Sequence, residues 1–121
     1  MEAKKLNKNV FIAVLNSSGV ILLLLKGDQV GPDNYEASRR KAFTSLSTKT
    51  ASYTLMENAE KSTDAKNLNT LPELLLLGGG TLIYKDGILV ESIGVSGGGG
   101  GLNDHNIAIK AAENSGFKVA P

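Results

Sequence analysis

Four side chains that could take part in a reaction lie near one another in the last third of the chain. Glu91 and Asp104 are carboxylates, Ser96 is a hydroxyl, and His105 is the only imidazole of the sequence. A carboxylate or an imidazole can transfer protons, and a hydroxyl beside a base can become a nucleophile. His105 is also the only imidazole that could ligate a metal ion or shuttle a proton at neutral pH. Together in one cleft, these groups could form an active site.

Ordinary structural roles are available to the same groups. A lone histidine in the first turn of a polar helix is usually solvated, and Asp104 suits compensation of the helix dipole at that end. Glu91 interrupts an apolar strand and is expected to be an outward-facing charge at a sheet edge. The basic run at residues 39–41, Arg-Arg-Lys, is expected to form the solvated face of a helix.

Ser96 satisfies the Gly-x-Ser-x-Gly pattern of a nucleophile elbow, because Gly94 and Gly98 flank it. The elbow needs a sharp turn from strand to helix and a histidine base within reach. Here more glycine follows before the helix, and no acid can be assigned to complete a triad with His105. A hydrolase is therefore a minor alternative.

Glycine is concentrated between residues 74 and 101, which hold more than half of the 14 glycines. Such a cluster marks tight turns, close backbone packing or a ligand cradle. Neither the dinucleotide fingerprint nor the P-loop is present, since no Gly-x-Gly-x-x-Gly and no Gly-Lys-Ser/Thr occurs there. Glycines 97–101 lead into the last helix, whose free N–H groups would favour a carboxylate or a phosphate. A flexible loop is the alternative.

The elements that position these groups follow from turn and periodicity signals. Residues 10–15 and 20–25 are predicted strands joined by the turn 16–19. Asp33 and Glu36 resemble a capping box that opens a helix to about Leu46. A second helix is predicted over residues 52–60, and a loop over 61–70. The inward face of the first helix is predicted to comprise Tyr35, Ala42, Phe43 and Leu46.

The second half is predicted to add three strands and a helix. The strands cover residues 74–77, 81–85 and 88–95, with Asp86-Gly87 as a type I′ turn. Asn103 is expected to cap the last helix, and Gly116 to stop it. The inward face of that helix is predicted to comprise Ile107, Ala108, Ala111 and Ala112. This order predicts a single α+β domain over residues 1–121, with an antiparallel sheet of about five strands and flanking helices.

Composition excludes several classes of protein. Thirteen basic against twelve acidic residues give a net charge of +1, which does not favour nucleic-acid binding. The sequence has no cysteine, so disulfides and thiolate metal sites are excluded, and no metal site is predicted. No apolar run reaches the length of a membrane span or a signal peptide, which predicts a cytoplasmic location without a membrane partner.

A resemblance to a known family is carried by short strings of residues. Three strings resemble the motif of the GlcG/HbpS-like haem-binding family: Gly79-Gly80 before a strand, Asp86-Gly87, and Ile-Gly-Val-Ser-Gly-Gly at residues 93–98. That family includes the C-terminal domain of PduO-type proteins. Residues 41–44, Lys-Ala-Phe-Thr, are similar to its central helix, and Asp104 and Ala108 also match. The resemblance covers nearly the whole chain and implies an oligomeric, profilin-like sandwich.

Members of that family are linked to haem or corrinoid binding, to glycolate or diol metabolism, and sometimes to haem degradation. The chain departs from the family's pattern in four respects. Residues 79–82 read Gly-Gly-Thr-Leu where the family usually has Gly-Gly-x-Pro. The long first helix is reduced to residues 2–6, so a truncated N-terminal helix is expected. Glu91 stands where a glycine is common, and His105 where a glutamate is frequent. The family's haem ligands cannot be placed residue by residue on this sequence, so haem is only a candidate cofactor.

The sequence therefore predicts a small-ligand-binding module, with a tetrapyrrole or an anionic metabolite bound near the glycine-rich turn. An enzyme of haem degradation or hydroxy-acid metabolism would need His105, Ser96 or Glu91 to converge. A ligand-free accessory subunit is the third alternative. Candidate ligand-binding residues are Gly79, Gly80, Glu91, Gly94, Ser96, Gly97, Gly98, Asp104 and His105.

A homo-oligomer, a dimer or a multiple of it, is also predicted. Residues 21–25 and 74–77 are continuous apolar runs, and successive side chains of a strand point to opposite faces. Three short helices cannot easily cover both faces of such a sheet. Self-association would hide the apolar surface that remains.

Overall fold

The computed structural model describes residues 10–121. The truncated helix predicted over residues 2–6 lies outside this range. In chain order the elements are strands β1 and β2, helices α1 to α3 with a 3-10 turn, strands β3 and β4, and helix α4. Their bounds are β1 Phe11–Asn16, β2 Ile21–Lys26, α1 Asn34–Thr48, α2 Ser52–Lys61, α3 Thr63–Lys66, the 3-10 turn Asn67–Thr70, β3 Gly80–Lys85, β4 Ile88–Ser96 and α4 Gly101–Asn114.

The strands form one antiparallel sheet in the order β2-β1-β4-β3. The predicted α+β architecture is therefore confirmed, with four strands in the described residues instead of about five. Residues 74–77 do not form the extra strand. Their backbone is bound by side chains of α1, since Arg40 donates to the Leu74 carbonyl at 2.8 Å and Leu75 N–H donates to Thr44 Oγ1 at 2.9 Å. An apolar run alone could not reveal this.

The hairpin predictions are accurate. β1 and β2 are joined by the predicted turn, in which the Asn16 side chain accepts from Ser18 N and Val20 N. Asp86 and Gly87 both adopt positive φ angles, 53° and 77°, as a type I′ turn requires.

Helix boundaries differ in detail from the sequence signals. The predicted caps Asp33 and Asn103 make no capping bond. The Asp33 side chain accepts no hydrogen bond from the first turn of α1, and α4 begins before Asn103, at Gly101. The predicted loop over residues 61–70 instead contains α3 and the 3-10 turn. The second helix starts at Ser52 as predicted, and α4 ends just before Gly116, whose φ is +88°.

Helix α1 covers one face of the sheet. Ala42 and Leu46 are buried as predicted, whereas Tyr35 is 40% exposed at the start of the helix, where it contacts Phe11 edge-on. The close approach depends on small residues, because a Cβ on Gly94 would lie only 1.9 Å from the Ser38 carbonyl oxygen.

Helix α4 covers the other face, but only over part of its width. The predicted inward residues Ile107, Ala108 and Ala112 are buried in a core cluster with side chains of β1, β3 and β4. Strand β2 lies beyond this cover, and Leu22 and Leu23 are 52% and 45% exposed there. No helix of the described residues is long and apolar enough to cross a membrane.

Candidate functional site

The glycine-rich turn between β4 and α4 is organised by a buried ion pair. Lys41 of α1 reaches across the sheet end, and its Nζ lies 3.0 Å from Asp104 Oδ2 and 3.1 Å from the Val95 carbonyl oxygen. The second carboxylate oxygen, Asp104 Oδ1, accepts from Gly98 N–H at 2.7 Å. Both side chains are almost fully buried. The inner side of the turn is thus occupied by the protein's own carboxylate.

This arrangement corrects two predictions. The basic run of α1 is not uniformly solvated, because Lys41 is 3% exposed. Arg39 does lie at the surface, where it binds Glu36 and Glu73 and lowers the pKa of the Glu36 carboxyl. Asp104 does lie in the first turn of α4, but it is a buried partner of Lys41 and not simply a compensating surface charge.

Ser96 ends β4 on the face that α1 covers. It is buried, and its Oγ donates to Oδ1 of Asn34 at the start of α1. A carboxamide is neither acidic nor basic at neutral pH, so this hydrogen bond does not activate the hydroxyl. The elbow pattern therefore positions a structural hydroxyl at a helix start.

Glu91 is not at a sheet edge as predicted, since β4 lies between β1 and β3. Its half-buried side chain lies on the α4 face, in an apolar groove of about 320 Å³. We call this the sheet groove. It is lined by Ile12, Val14, Leu22, Leu23, Leu25, Ile83, Glu91, Ile93, Ala111, Ala112, Ser115 and Phe117. Glu91 and Ser96 consequently lie on opposite faces of the sheet.

His105 lies on the outer side of the turn, against α2. Its ring stacks on Tyr53, with centroids 5.2 Å apart and planes 25° from parallel. The histidine is half-buried instead of solvated, and its Nδ1 is shielded without a hydrogen-bond partner. Burial lowers its pKa, and the Glu57 carboxylate of α2 acts in the opposite direction.

The candidate glycines serve close packing. A Cβ on Gly79 would lie 2.3 Å from the Val95 carbonyl, and one on Gly80 2.1 Å from the Lys41 carbonyl. Gly98 is equally confined by Asp104, while Gly97 is exposed with a φ of +98°. Gly79 and Gly80 bring backbone to backbone, and Gly98 brings backbone to side chains, so most of the predicted cradle is filled by protein.

An open cavity lies next to the outer side of the turn. It has a volume of about 630 Å³, and we call it the α2–α3 cleft. Met56 connects the two regions, because it lines the cleft and its Sδ would lie 3.1 Å from a Cβ on Gly101. The cleft is lined by Met56, Ala59, Glu60, Lys61, Ser62, Thr63, Lys66, Asn69 and Leu76.

The structure thus separates the predicted chemical side chains from one another. Asp104 and Gly98 form the buried turn with the newly found Lys41, and His105 stacks on Tyr53 of α2. Ser96 and Glu91 lie apart from both and from each other, on opposite faces of the sheet. Sequence reasoning missed both Lys41 and the cleft. Among residues 10–121, no three His, Cys, Asp or Glu side chains are grouped so that they could hold a metal ion.

Known proteins share the fold of this chain. The family model described as "Haem degrading protein HbpS-like" matches residues 1–113. The crystal structure of a double mutant of HbpS from Streptomyces reticuli is similar with a TM-score of 0.82 and 34% identity, over 93% of this chain and 75% of that one. No curated protein matches the chain.

Two further structures share the fold at lower identity. The chain is 22% identical to the protein of a PduOC:heme complex, with a TM-score of 0.87 over 98% of this chain and 87% of that one. It is also 22% identical to ORFY of Klebsiella pneumoniae, with a TM-score of 0.85 over 93% and 78% of the two chains. At this identity the likeness establishes the architecture alone.

Proposed function

Because the chain belongs to the family of HbpS-like haem degrading proteins, we propose that it is a small-ligand-binding module whose ligand is haem, a corrinoid or a small anionic metabolite. The observation that carries this proposal is the α2–α3 cleft, whose 630 Å³ lie within the range of small-molecule sites. The inner side of the glycine-rich turn is filled by Asp104 and Lys41. A ligand near the turn therefore binds on the outer side, where Met56 leads from Gly101 into the cleft.

The residues of the cleft fit haem in part. Met56 and Leu76 offer apolar contact to a macrocycle, and Lys61 and Lys66 offer cations to its carboxylates. Among the usual axial ligands of haem iron, the cleft wall contains the Met56 thioether, whereas His105 is stacked on Tyr53. Bound haem would supply an iron centre, and the chain's own residues would hold the macrocycle without a histidine ligand.

The enzyme alternative required convergence of His105, Ser96 or Glu91. Ser96 binds Asn34 under α1, Glu91 lies in the sheet groove on the opposite face, and His105 packs on α2. Three separate environments favour a binding module over a reaction at these residues. A cytoplasmic location and self-association through the exposed side of β2 complete the proposal.

Ligand titration tests the proposal directly. Haem, cobalamin and a panel of small carboxylates are added to the protein, and thermal shift and absorbance are recorded. At least one class is expected to raise the melting temperature, because a ligand that binds only the folded state stabilises it. The absence of a shift with all three classes would contradict a binding function.

Haem has its own expected outcome. We expect weak binding, with a Soret change that survives His105→Ala, since the imidazole does not line the cleft. Asn106→Ala, at an exposed position of the same helix, is the matched control. A tight complex with a sharp Soret band that disappears in His105→Ala, but not in the control, would show that histidine is the iron ligand after all.

A further inference from the structure

Two cations of the α2–α3 cleft have no counterion in the described part of the chain. Lys61 is the last residue of α2 and Lys66 the last of α3, so both side chains project from helix ends onto the same cavity. Ion pairs elsewhere in residues 10–121 use Arg39 and Lys41, and neither cleft lysine takes part in one. Exposed ammonium groups of this kind remain free to bind an anion.

The rest of the cleft wall is chemically divided. Leu76 is buried to 9% exposure and Met56 and Ala59 are half-buried, which gives the cavity an apolar floor. Ser62 and Thr63 lie between the two lysines in sequence and add hydroxyl donors at the rim. Apolar surface and cations on one cavity match a molecule with an apolar body and an anionic group.

Charge favours an anion even when all ionisable groups of the wall are counted. Lys61 and Lys66 contribute two positive charges and Glu60 contributes one negative charge, and these are the only ionisable side chains among the lining residues. The two lysines of the wall attract anions, and their charge does not act on neutral molecules of equal size.

From this arrangement we propose that the α2–α3 cleft selects amphipathic organic anions: the apolar body lies on Met56, Ala59 and Leu76, and the anionic group is held by Lys61 and Lys66. This inference rests on the proposed binding function and narrows it. Acid-bearing ligands are bound in preference to ligands whose edges carry only neutral amides. Selection is electrostatic, so it weakens as salt screens the lysines.

A pair of matched dyes tests the selection. Anilinonaphthalenesulfonate and phenylnaphthylamine have the same apolar body, but only the first carries an anion, and both fluoresce when bound in apolar surroundings. In the wild type at low salt the sulfonate is expected to bind more tightly. The double variant Lys61→Gln/Lys66→Gln is expected to weaken the sulfonate roughly fivefold, as two exposed charge contacts would, and to leave phenylnaphthylamine unchanged.

Three controls locate the effect. Lys110→Gln removes an exposed charge of α4 outside the cleft and should change neither dye. Ala59→Trp fills the cleft and should weaken both dyes, with circular dichroism confirming the fold. Leu23→Asp alters the sheet groove and should leave the preference for the anion intact.

The inference is overturned if the lysine variant binds both dyes as the wild type does, or if Leu23→Asp and not Ala59→Trp removes the anionic dye. Neither result depends on haem or cobalamin. A protein that bound one of those ligands but showed no lysine-dependent preference would retain the proposed function and lose this narrower one.

Discussion

Lys41 and Asp104 join α1 to the start of α4 through an ion pair that solvent hardly reaches. Removing two charges from water is costly, so such a pair persists only where further hydrogen bonds satisfy it. Here the Val95 carbonyl and the Gly98 amide supply them. The geometry of the glycine-rich turn is therefore tied to one residue of a distant helix.

Loss of one partner is expected to be more harmful than loss of both. Lys41→Met leaves a buried carboxylate unpaired and should lower the free energy of unfolding by about 3 kcal/mol. Lys41→Met/Asp104→Leu should recover part of that loss. Urea denaturation measures both, with the exposed Lys110→Met as control. If the loss of stability in the double variant equals the sum of the losses in its two single variants, the two residues are not coupled.

His105 predicts a dependence of stability on pH. Burial lowers its pKa from the ordinary value of 6.5, so the folded protein binds this proton less readily than the unfolded chain. The stabilisation given by the neutral ring is thus complete above that value and is lost as the pH falls through the lower, folded pKa.

Urea denaturation at pH about 7.5 and about 5 measures this dependence, which is expected to be smaller in His105→Gln than in the wild type. Carboxylates that titrate below this window affect both proteins alike. If the two proteins lose stability in parallel over this range, His105 is not the group responsible.

At the scale of elements, α1 packs on β4 at backbone distance. The helix presents Ser38 and Ala42 to the strand, and the strand presents Gly94. Small residues on both sides allow this contact, and Lys41 Nζ bonds the carbonyl of Val95, the residue that follows Gly94 in the strand. Packing and ion pair are consequently interdependent.

Gly94→Val is expected to lower the free energy of unfolding by about 3 kcal/mol or more, because its Cβ would overlap the backbone of α1 and something must move. The control is Gly87→Asn, in a type I′ turn where asparagine is tolerated and a Cβ meets nothing within 4 Å. Thermal and urea unfolding compare the two. An unchanged melting temperature for Gly94→Val would refute close packing at this site.

Local signals predicted most elements but few of the contacts between them. The Asn16 turn and the Asp86-Gly87 turn can be predicted from the sequence, because the residues that form each turn lie within four positions of one another. The partnership of Lys41 with Asp104 cannot, since 63 positions separate them and neither residue type is normally buried. The predicted strand over residues 74–77 is wrong, because an apolar run is compatible with a strand and with a buried segment bound by side chains.

At the scale of the whole molecule, the sheet is unevenly covered. Helix α1 protects one face, α4 protects part of the other, and the sheet groove beside β2 remains open. Leu22, Leu23 and Leu25 are all more than two-fifths exposed. Contiguous apolar surface of this kind is typical of an interface, so the predicted homo-oligomer remains our expectation.

Sedimentation equilibrium at micromolar concentration tests the oligomer. A dimer or a multiple of it is expected, and Leu23→Asp should dissociate it without unfolding the chain, because that side chain is 45% exposed. Leu75→Asp, in the half-buried run beside α1, is expected to be less selective and to lower stability as well. A wild-type species of 12.7 kDa would refute self-association.

The two edges of the sheet differ, and the difference predicts where aggregation begins when the protein is heated. At β3, Tyr84 and Lys118 exchange backbone hydrogen bonds of 2.7 and 3.1 Å, so the C-terminal segment caps that border. At β2, no strand of the described residues pairs with the outer side, and the strand reads Ile-Leu-Leu-Leu-Leu-Lys. A segment that is uncharged until its last residue and rich in branched side chains is a template for cross-β stacking. Amyloid-type aggregation on heating should therefore begin at β2, and a charge placed there should delay it.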